Sequence, residues 1–103
     1  MLAKNAPTPP AYLRPETRQW FSSVIADYEL QPHHIRLLTL AAEAWDRGQQ
    51  AREMIAQDGI TIVGREGGSR PHPAIAIERD ARIAFARLVA QLSLDGAEEP
   101  VKW

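Results

Sequence analysis

The sequence predicts a mainly α protein of three helices, one of them long, with a short β-hairpin before the last helix. Apolar residues recur at spacings of three and four over three segments, as on one face of a helix. A β-branched run and a glycine-rich stretch interrupt this pattern after Gly59. A chain of 103 residues, 45% of them hydrophobic, can bury one core. We therefore expect a single helical domain at residues 13–94.

The two ends of the chain differ from this domain. Residues 1–12 are rich in proline and have no hydrophobic period, so they are expected to form an extended arm. Residues 95–103 carry three acids against Lys102 and are expected to form a short acidic tail. No apolar run approaches the ~20 residues that span a bilayer, and residues 1–10 lack the pattern of a secretory signal. We expect a soluble protein without a membrane partner.

The first helix is expected to begin at Pro15, because proline fits the first helical position and Glu16 then lies in the first turn, where the helix dipole favours an acid. The sequence 20–28 presents a broad apolar face. Pro32 ends this helix and begins the next, since the residue before a proline disfavours helical backbone. The residues expected on the core face of the first helix are Trp20, Phe21, Val24, Ile25 and Tyr28.

The second helix is expected to run from about His33 to Gln57 or Asp58, where Gly59 supplies a positive φ. About 25 residues give a length of roughly 38 Å, so we expect part of this helix to project or to meet another chain. Small residues form a stripe along it, and small side chains let a second helix approach closely. The stripe fits antiparallel packing within the chain or a contact between subunits, and its members are Ala41, Ala44, Gly48 and Ala51.

A short β-hairpin is expected at residues 60–72. The β-branched residues 60–63 favour a strand, and the glycines of residues 64–68 permit a tight turn. The return strand should be brief, because Pro71 and Pro73 cannot donate to a ladder. The third helix should then open with His72 as its cap and Pro73 in its first position, and should end near Ser93. Trp20, Trp45 and Phe85 are each on the apolar line of their helix, so we expect them to meet in one core.

The residues give no support for catalysis, a metal or a cofactor. There is no cysteine, and His33 and His34 are adjacent, so they point about 100° apart on a helix. The glycines of residues 64–68 lack the lysine and the Ser/Thr of a phosphate loop. The sequence therefore predicts a binding protein rather than an enzyme.

Positive charge is concentrated in one part of the chain, although the net charge is −1. Residues 60–94 hold five arginines against three acids, and an arginine fork suits phosphate. The alternative is a solvated helix face with pairs such as Glu78 with Arg82. The expected DNA phosphate ligands are Arg65, Arg70, Arg79 and Arg82.

Three stretches of the sequence carry a family resemblance: residues 12–20, Asp58-Gly59-Ile60-Thr61 after the long helix, and Gly67-Gly68-Ser69-Arg70-Pro71-His72-Pro73-Ala74. Together they resemble the small terminase subunit of tailed bacteriophages, over about residues 10–94. The resemblance implies a ring-forming, non-catalytic subunit that binds double-stranded viral DNA and recruits or regulates the large ATPase and nuclease subunit. It also implies a place in the cytoplasm of the infected or lysogenic bacterial host.

Two features depart from the family pattern. Arg14 stands where the family usually has Ser or Thr as a helix cap, so the first helix is expected to fray or to be capped from elsewhere. Relatives often continue beyond the last helix with a tail that contacts the large subunit, and whether residues 95–103 suffice for that contact stays open.

Two other functions remain as alternatives. The first is an oligomeric adaptor of the packaging machinery that touches only protein. The second is a phage regulator whose first two helices form a helix-turn-helix. The length of the second helix, and Trp45 on it, argue against an exposed recognition helix.

Overall fold

A computed structural model describes residues 7–94 of the chain. Helix α1 spans Pro15–Asp27, α2 spans Pro32–Asp58 and α3 spans Ala74–Gln91. Strands β1 (Thr61–Val63) and β2 (Ser69–Pro71) form an antiparallel hairpin between α2 and α3. The predicted fold class is confirmed. The first six residues of the predicted arm and the whole predicted acidic tail, residues 95–103, lie outside the described residues.

Proline and glycine set the helix boundaries as expected. Pro15 and Pro32 are the first residues of α1 and α2, where a missing N–H costs no hydrogen bond. Helix α2 ends at Asp58 because Gly59 adopts a φ of 85°, which other residues rarely adopt. Helix α3 ends just before Ser93, whose φ is 61°.

Helices α2 and α3 pack against each other along most of their length. The two helices are antiparallel. His72, just before α3, contacts Asp58 at the end of α2, and Leu92, just after α3, lies in a cluster with Leu38 near the start of α2. Helix α2 has 27 residues, or about 40 Å, and α3 has 18 residues, or about 27 Å. About two thirds of the length of α2 therefore has α3 as a partner within the chain.

The small-residue stripe lies in this contact. Ala41, Gly48 and Ala51 are buried, and Ala44 is half-buried. A Cβ added at Gly48 would lie 3.5 Å from the Cβ of Ala81, so the two backbones approach closely at this point. Packing within the chain thus accounts for the three buried members. A contact between copies through the stripe stays a prediction.

The core lies where α1, the N-terminal half of α2 and the end of α3 meet. Phe21 and Leu38 are its largest fully buried side chains. Thr17, Phe21 and Val24 are the buried residues of α1, at spacings of four and three. The buried cluster consists of Leu13, Phe21, Val24, Leu38, Ala42 and Leu92.

The three aromatics do meet, but the expectation of a common buried core is wrong. The ring centroid of Phe85 is 5.7 Å from that of Trp20 and 4.9 Å from that of Trp45. Trp45 is nevertheless 44% exposed. Trp20 also lies at the edge of the core rather than inside it. Phe21 faces the core, and Trp20 is one residue, or about 100°, away from it around α1. Tyr28, expected on the same core face, follows the end of α1 and is exposed.

Candidate nucleic-acid interface

The β-hairpin projects from the helices and is tightly closed. Ile62 pairs with Arg70, and Val63 with Ser69. The turn is closed by two hydrogen bonds, from the N–H of Gly64 to the carbonyl oxygen of Gly68 (2.6 Å) and from the N–H of Gly67 to the carbonyl oxygen of Gly64 (3.0 Å). Most of the hairpin is exposed, Val63 by 77%. The predicted hairpin therefore forms as an exposed element rather than as part of the core.

The backbone at Gly64 is closely approached by its neighbours. A Cβ there would lie 3.1 Å from the carbonyl oxygen of Gly68 and 3.1 Å from the Cδ of Arg70. The aliphatic part of Arg70 therefore crosses the backbone of Gly64, next to Arg65 in the turn. The Arg70 stem thus lies against the residue that precedes Arg65.

Arg65 and Arg70 are both exposed. Neither forms an ion pair with another residue in the range 7–94. Two guanidinium groups beside a turn rich in backbone N–H groups are suited to bind phosphate oxygens. These two residues are the strongest part of the predicted DNA-binding set.

The other two predicted ligands, Arg79 and Arg82, lie on α3 and have acidic neighbours. The Nε of Arg79 is 3.4 Å from Asp80, and the Nε of Arg82 is 3.3 Å from Glu78. Both arginine side chains are more than half exposed. Exposed pairs of this kind are weak, so both arginines can still reach an anion. They form a second group, on a helix rather than on the hairpin.

His72 fixes the base of the hairpin to both helices. The ring is buried, with 6% exposure. Its Nδ1 accepts the N–H of Ala74 (3.0 Å), so the proton is on Nε2, which donates to Asp58 Oδ2 (2.8 Å). Its backbone N–H donates to the carbonyl oxygen of Ile60 (2.8 Å), and its carbonyl oxygen accepts from Ile75 (3.0 Å). One residue thus joins the end of α2, the hairpin and the start of α3.

Helix α3 begins at Ala74, one residue later than predicted, with Pro73 at the N-cap position. The ring of His72 still accepts the N–H of Ala74, as the predicted cap would. Pro73 has helical backbone angles, with φ −57° and ψ −28°, so the chain is already helical between the cap and Ala74. The partnership with Asp58 was not predicted. A histidine before proline suggests a cap, whereas its second ring nitrogen finds its partner only through the tertiary fold.

The start of α1 is stabilised from α2. Asp46 accepts the backbone N–H of Arg14 (2.8 Å) and the hydroxyl of Thr17 (2.5 Å). A carboxylate at a helix N-terminus also interacts favourably with the helix dipole. Arg14 makes no side-chain cap of its own, which agrees with the expectation that α1 is capped from elsewhere.

Further polar contacts join the same two regions. The guanidinium of Arg14 donates to both carboxylate oxygens of Glu53, at 2.7 and 3.0 Å, and the hydroxyl of Tyr12 donates to Glu43. The bond to Glu53 raises the pKa of Arg14 and lowers the pKa of Glu53, and the bond to Glu43 raises the pKa of Tyr12. Partners separated by about thirty to forty residues in sequence carry no periodic signal, so sequence reasoning missed them.

Two findings about the described part of the chain bear on function. Within residues 7–94, no group of three or more His, Asp or Glu side chains is placed to hold a metal ion. None of the three helices in this range is long and apolar enough to cross a membrane.

Comparison with known proteins agrees with the resemblance read from the sequence. Neither a curated protein nor a solved structure matches the chain. A family model does, and its match covers residues 19–100, which include α2, the hairpin and α3 in full. The chain belongs to the phage terminase small subunit family.

Proposed function

We propose that this protein is the oligomeric, non-catalytic component of a phage DNA-packaging machine. It binds double-stranded viral DNA in the host cytoplasm and recruits or regulates the large ATPase and nuclease subunit. Family membership supports this function. The observation that carries DNA binding is the exposed hairpin, on which Arg65 and Arg70 have no acidic partner within residues 7–94.

Assembly strengthens DNA binding in this proposal. One chain has a net charge of −1 and offers only a few arginines, so a single copy should bind duplex DNA weakly. Several copies in one particle present several hairpins at a high effective concentration, and the affinity rises without any new contact.

The surface available for self-association lies along α2 and α3. Leu40 and Ile77 are exposed, and they border a groove of about 400 Å³ together with Ala44 and Ala84. Ala44 is the member of the small-residue stripe that another chain can reach. Native mass spectrometry should detect a closed oligomer well above a dimer. Replacing Leu40 and Ile77 with glutamate should dissociate it without loss of helical circular dichroism, whereas a wild-type chain that stays monomeric at tens of micromolar would contradict assembly.

The test of DNA binding compares two double variants of equal charge. In the test variant, Arg65 and Arg70 become glutamine. In the control, the same change is made at Arg36 on α2 and Arg87 on α3, two exposed arginines that also lack an ion pair within the described residues. Duplex affinity is measured by fluorescence anisotropy at several salt concentrations, and oligomer mass is checked in parallel.

The hairpin variant should bind at least about tenfold more weakly at low salt, with the oligomer mass unchanged. Its log-log salt slope should fall by about 0.9 for each phosphate that the variant no longer neutralises. The affinity of the control should change little. Equal affinity of the hairpin variant and the wild type would move the DNA surface away from the hairpin and refute this assignment.

A further inference from the structure

The aromatic cluster borders an open groove that the proposed DNA site does not use. The groove has a volume of about 400 Å³ and is lined by Glu16, Thr17, Trp20, Trp45 and Phe85. Ligand sites in proteins begin at about 300 Å³ and are mostly apolar with a few polar groups. This groove has both properties, and its size suits one or two side chains.

Glu16 and Thr17 are the polar residues of the groove lining, and only the carboxylate of Glu16 is available to a ligand. The hydroxyl of Thr17 already donates to Asp46. Glu16 forms no ion pair with any residue in the range 7–94. Glu16 lies in the first turn of α1, where the helix dipole interacts favourably with a carboxylate. The groove therefore presents a negative charge beside exposed aromatic rings.

The cation that interacts with Glu16 is shared with other acids. Arg14 binds Glu53 and also interacts with Asp46 and Glu16, and these carboxylates raise its pKa. One guanidinium thus faces three carboxylates. Further along α2 and α3, in an adjoining groove, Glu78 is shared by Arg52 and Arg82, so its charge is already compensated.

Aromatic faces and a carboxylate both attract cations, whereas both repel phosphate. Nucleic acid is therefore disfavoured as the occupant. The chain's own residues 95–103 have the wrong sign, with three acids against one lysine. We propose that the groove binds a segment of a partner protein in which a lysine or arginine stands beside an apolar residue. The cation meets Glu16 and the aromatic rings, and the apolar residue fills the space between Trp20 and Trp45.

This site does not rest on DNA binding, and its test is separate. The probe is the peptide acetyl-Gly-Leu-Arg-Leu-Gly-amide, with versions carrying glutamine or glutamate in place of arginine as controls. Binding is followed by NMR through the indole N–H signals of Trp20 and Trp45. The protein variants are Glu16→Gln and, as a matched control, Glu29→Gln, since Glu29 is an exposed glutamate between α1 and α2.

The arginine peptide should shift both indole signals and bind more tightly than the glutamine and glutamate peptides. Glu16→Gln should reduce its affinity by about two- to fivefold, as expected for one exposed charge contact, and Glu29→Gln should leave it unchanged. Trp45→Ala should also reduce the preference for arginine, because it removes one of the aromatic faces and leaves Glu16 in place. Equal shifts with the arginine and glutamate peptides, or no effect of Glu16→Gln, would overturn the proposal.

Two more measurements distinguish the occupants that the proposal rejects. The oligomer mass of the Glu16→Gln and Trp45→Ala variants should equal that of the wild type, and a lower mass would assign the groove to a second copy. Their affinity for duplex DNA should also be unchanged. A loss of DNA affinity in these variants would assign the groove to nucleic acid and overturn the partner-protein site. Failure of the hairpin variant to weaken DNA binding would refute the proposed DNA site but would not affect the partner-protein site.

Discussion

The Nε2 atom of His72 lies 2.8 Å from Oδ2 of Asp58. Asp58 is the last residue of α2, and His72 lies two residues before the start of α3, so this bond connects the two helices. The same ring caps α3 through Ala74. The hairpin between the two helices leaves from Ile60 and returns at Pro71, so this pair closes its base.

Replacing His72 with alanine should lower the free energy of unfolding by about 1–3 kcal/mol, because it removes a helix cap and leaves a largely buried N–H without its partner. Asp58→Asn is the matched control, since its amide oxygen can still accept from Nε2, and it should cost less. Urea unfolding followed by circular dichroism measures both. Equal destabilisation by the two variants would mean that the charged carboxylate of Asp58, rather than the cap on Ala74, supplies the stability.

Burial separates two aromatic residues that the sequence alone treats alike. Phe21 is 1% exposed and fills the core, whereas Trp45 is 44% exposed on the groove. Phe21→Ala should therefore destabilise the fold by about 3–5 kcal/mol, and Trp45→Ala clearly less, although tryptophan is the larger side chain. Chemical unfolding of the two variants makes the comparison. A larger destabilisation at Trp45 would place that ring in the core.

The sequence predicts features that depend on neighbouring residues better than features that depend on tertiary packing. Local rules act within a few residues, and they located Pro15, Pro32 and Gly59 at helix boundaries and His72 as a cap. The periodic pattern identified which faces are apolar. It could not decide which apolar residue sits at the edge of a packed face, because a shift of one residue turns a side chain by about 100°.

The candidate site divides in the same way. Arginines on a glycine-rich hairpin were visible in the sequence, and so was the ambiguity of Arg82, which does pair with Glu78. The sequence predicted that Trp20, Trp45 and Phe85 meet, but not that they border an open groove, because the lining comes from all three helices. Nor did it identify the cap on α1, since Asp46 lies 29 residues from Thr17 along the chain.

The ion pair between Arg14 and Glu53 should make stability depend on pH in the acid range. Its hydrogen bond lowers the pKa of Glu53 below the ordinary value of 4.5, so the folded state favours the carboxylate. The contribution is present above pH 4.5 and disappears as the pH falls through the lower folded value. Glu53→Gln should thus be less stable than the wild type at about pH 7, and the difference should shrink as the pH falls below 4.5 and through the lower folded pKa. A difference independent of pH would contradict this origin.

Gly48 offers the clearest separation of packing within the chain from packing between chains. An added Cβ would lie 3.5 Å from the Cβ of Ala81, an ordinary contact, so Gly48→Ala should be tolerated and can stabilise the helix by about 0.5–1 kcal/mol. Gly48→Leu would force α2 and α3 apart and should cost about 1–3 kcal/mol. Urea unfolding measures stability, and native mass spectrometry measures assembly. The contrary result is that Gly48→Leu leaves the stability unchanged and lowers the oligomer mass. The stripe would then face a neighbouring chain, and the contact between Gly48 and Ala81 would not stabilise the packing of α2 on α3.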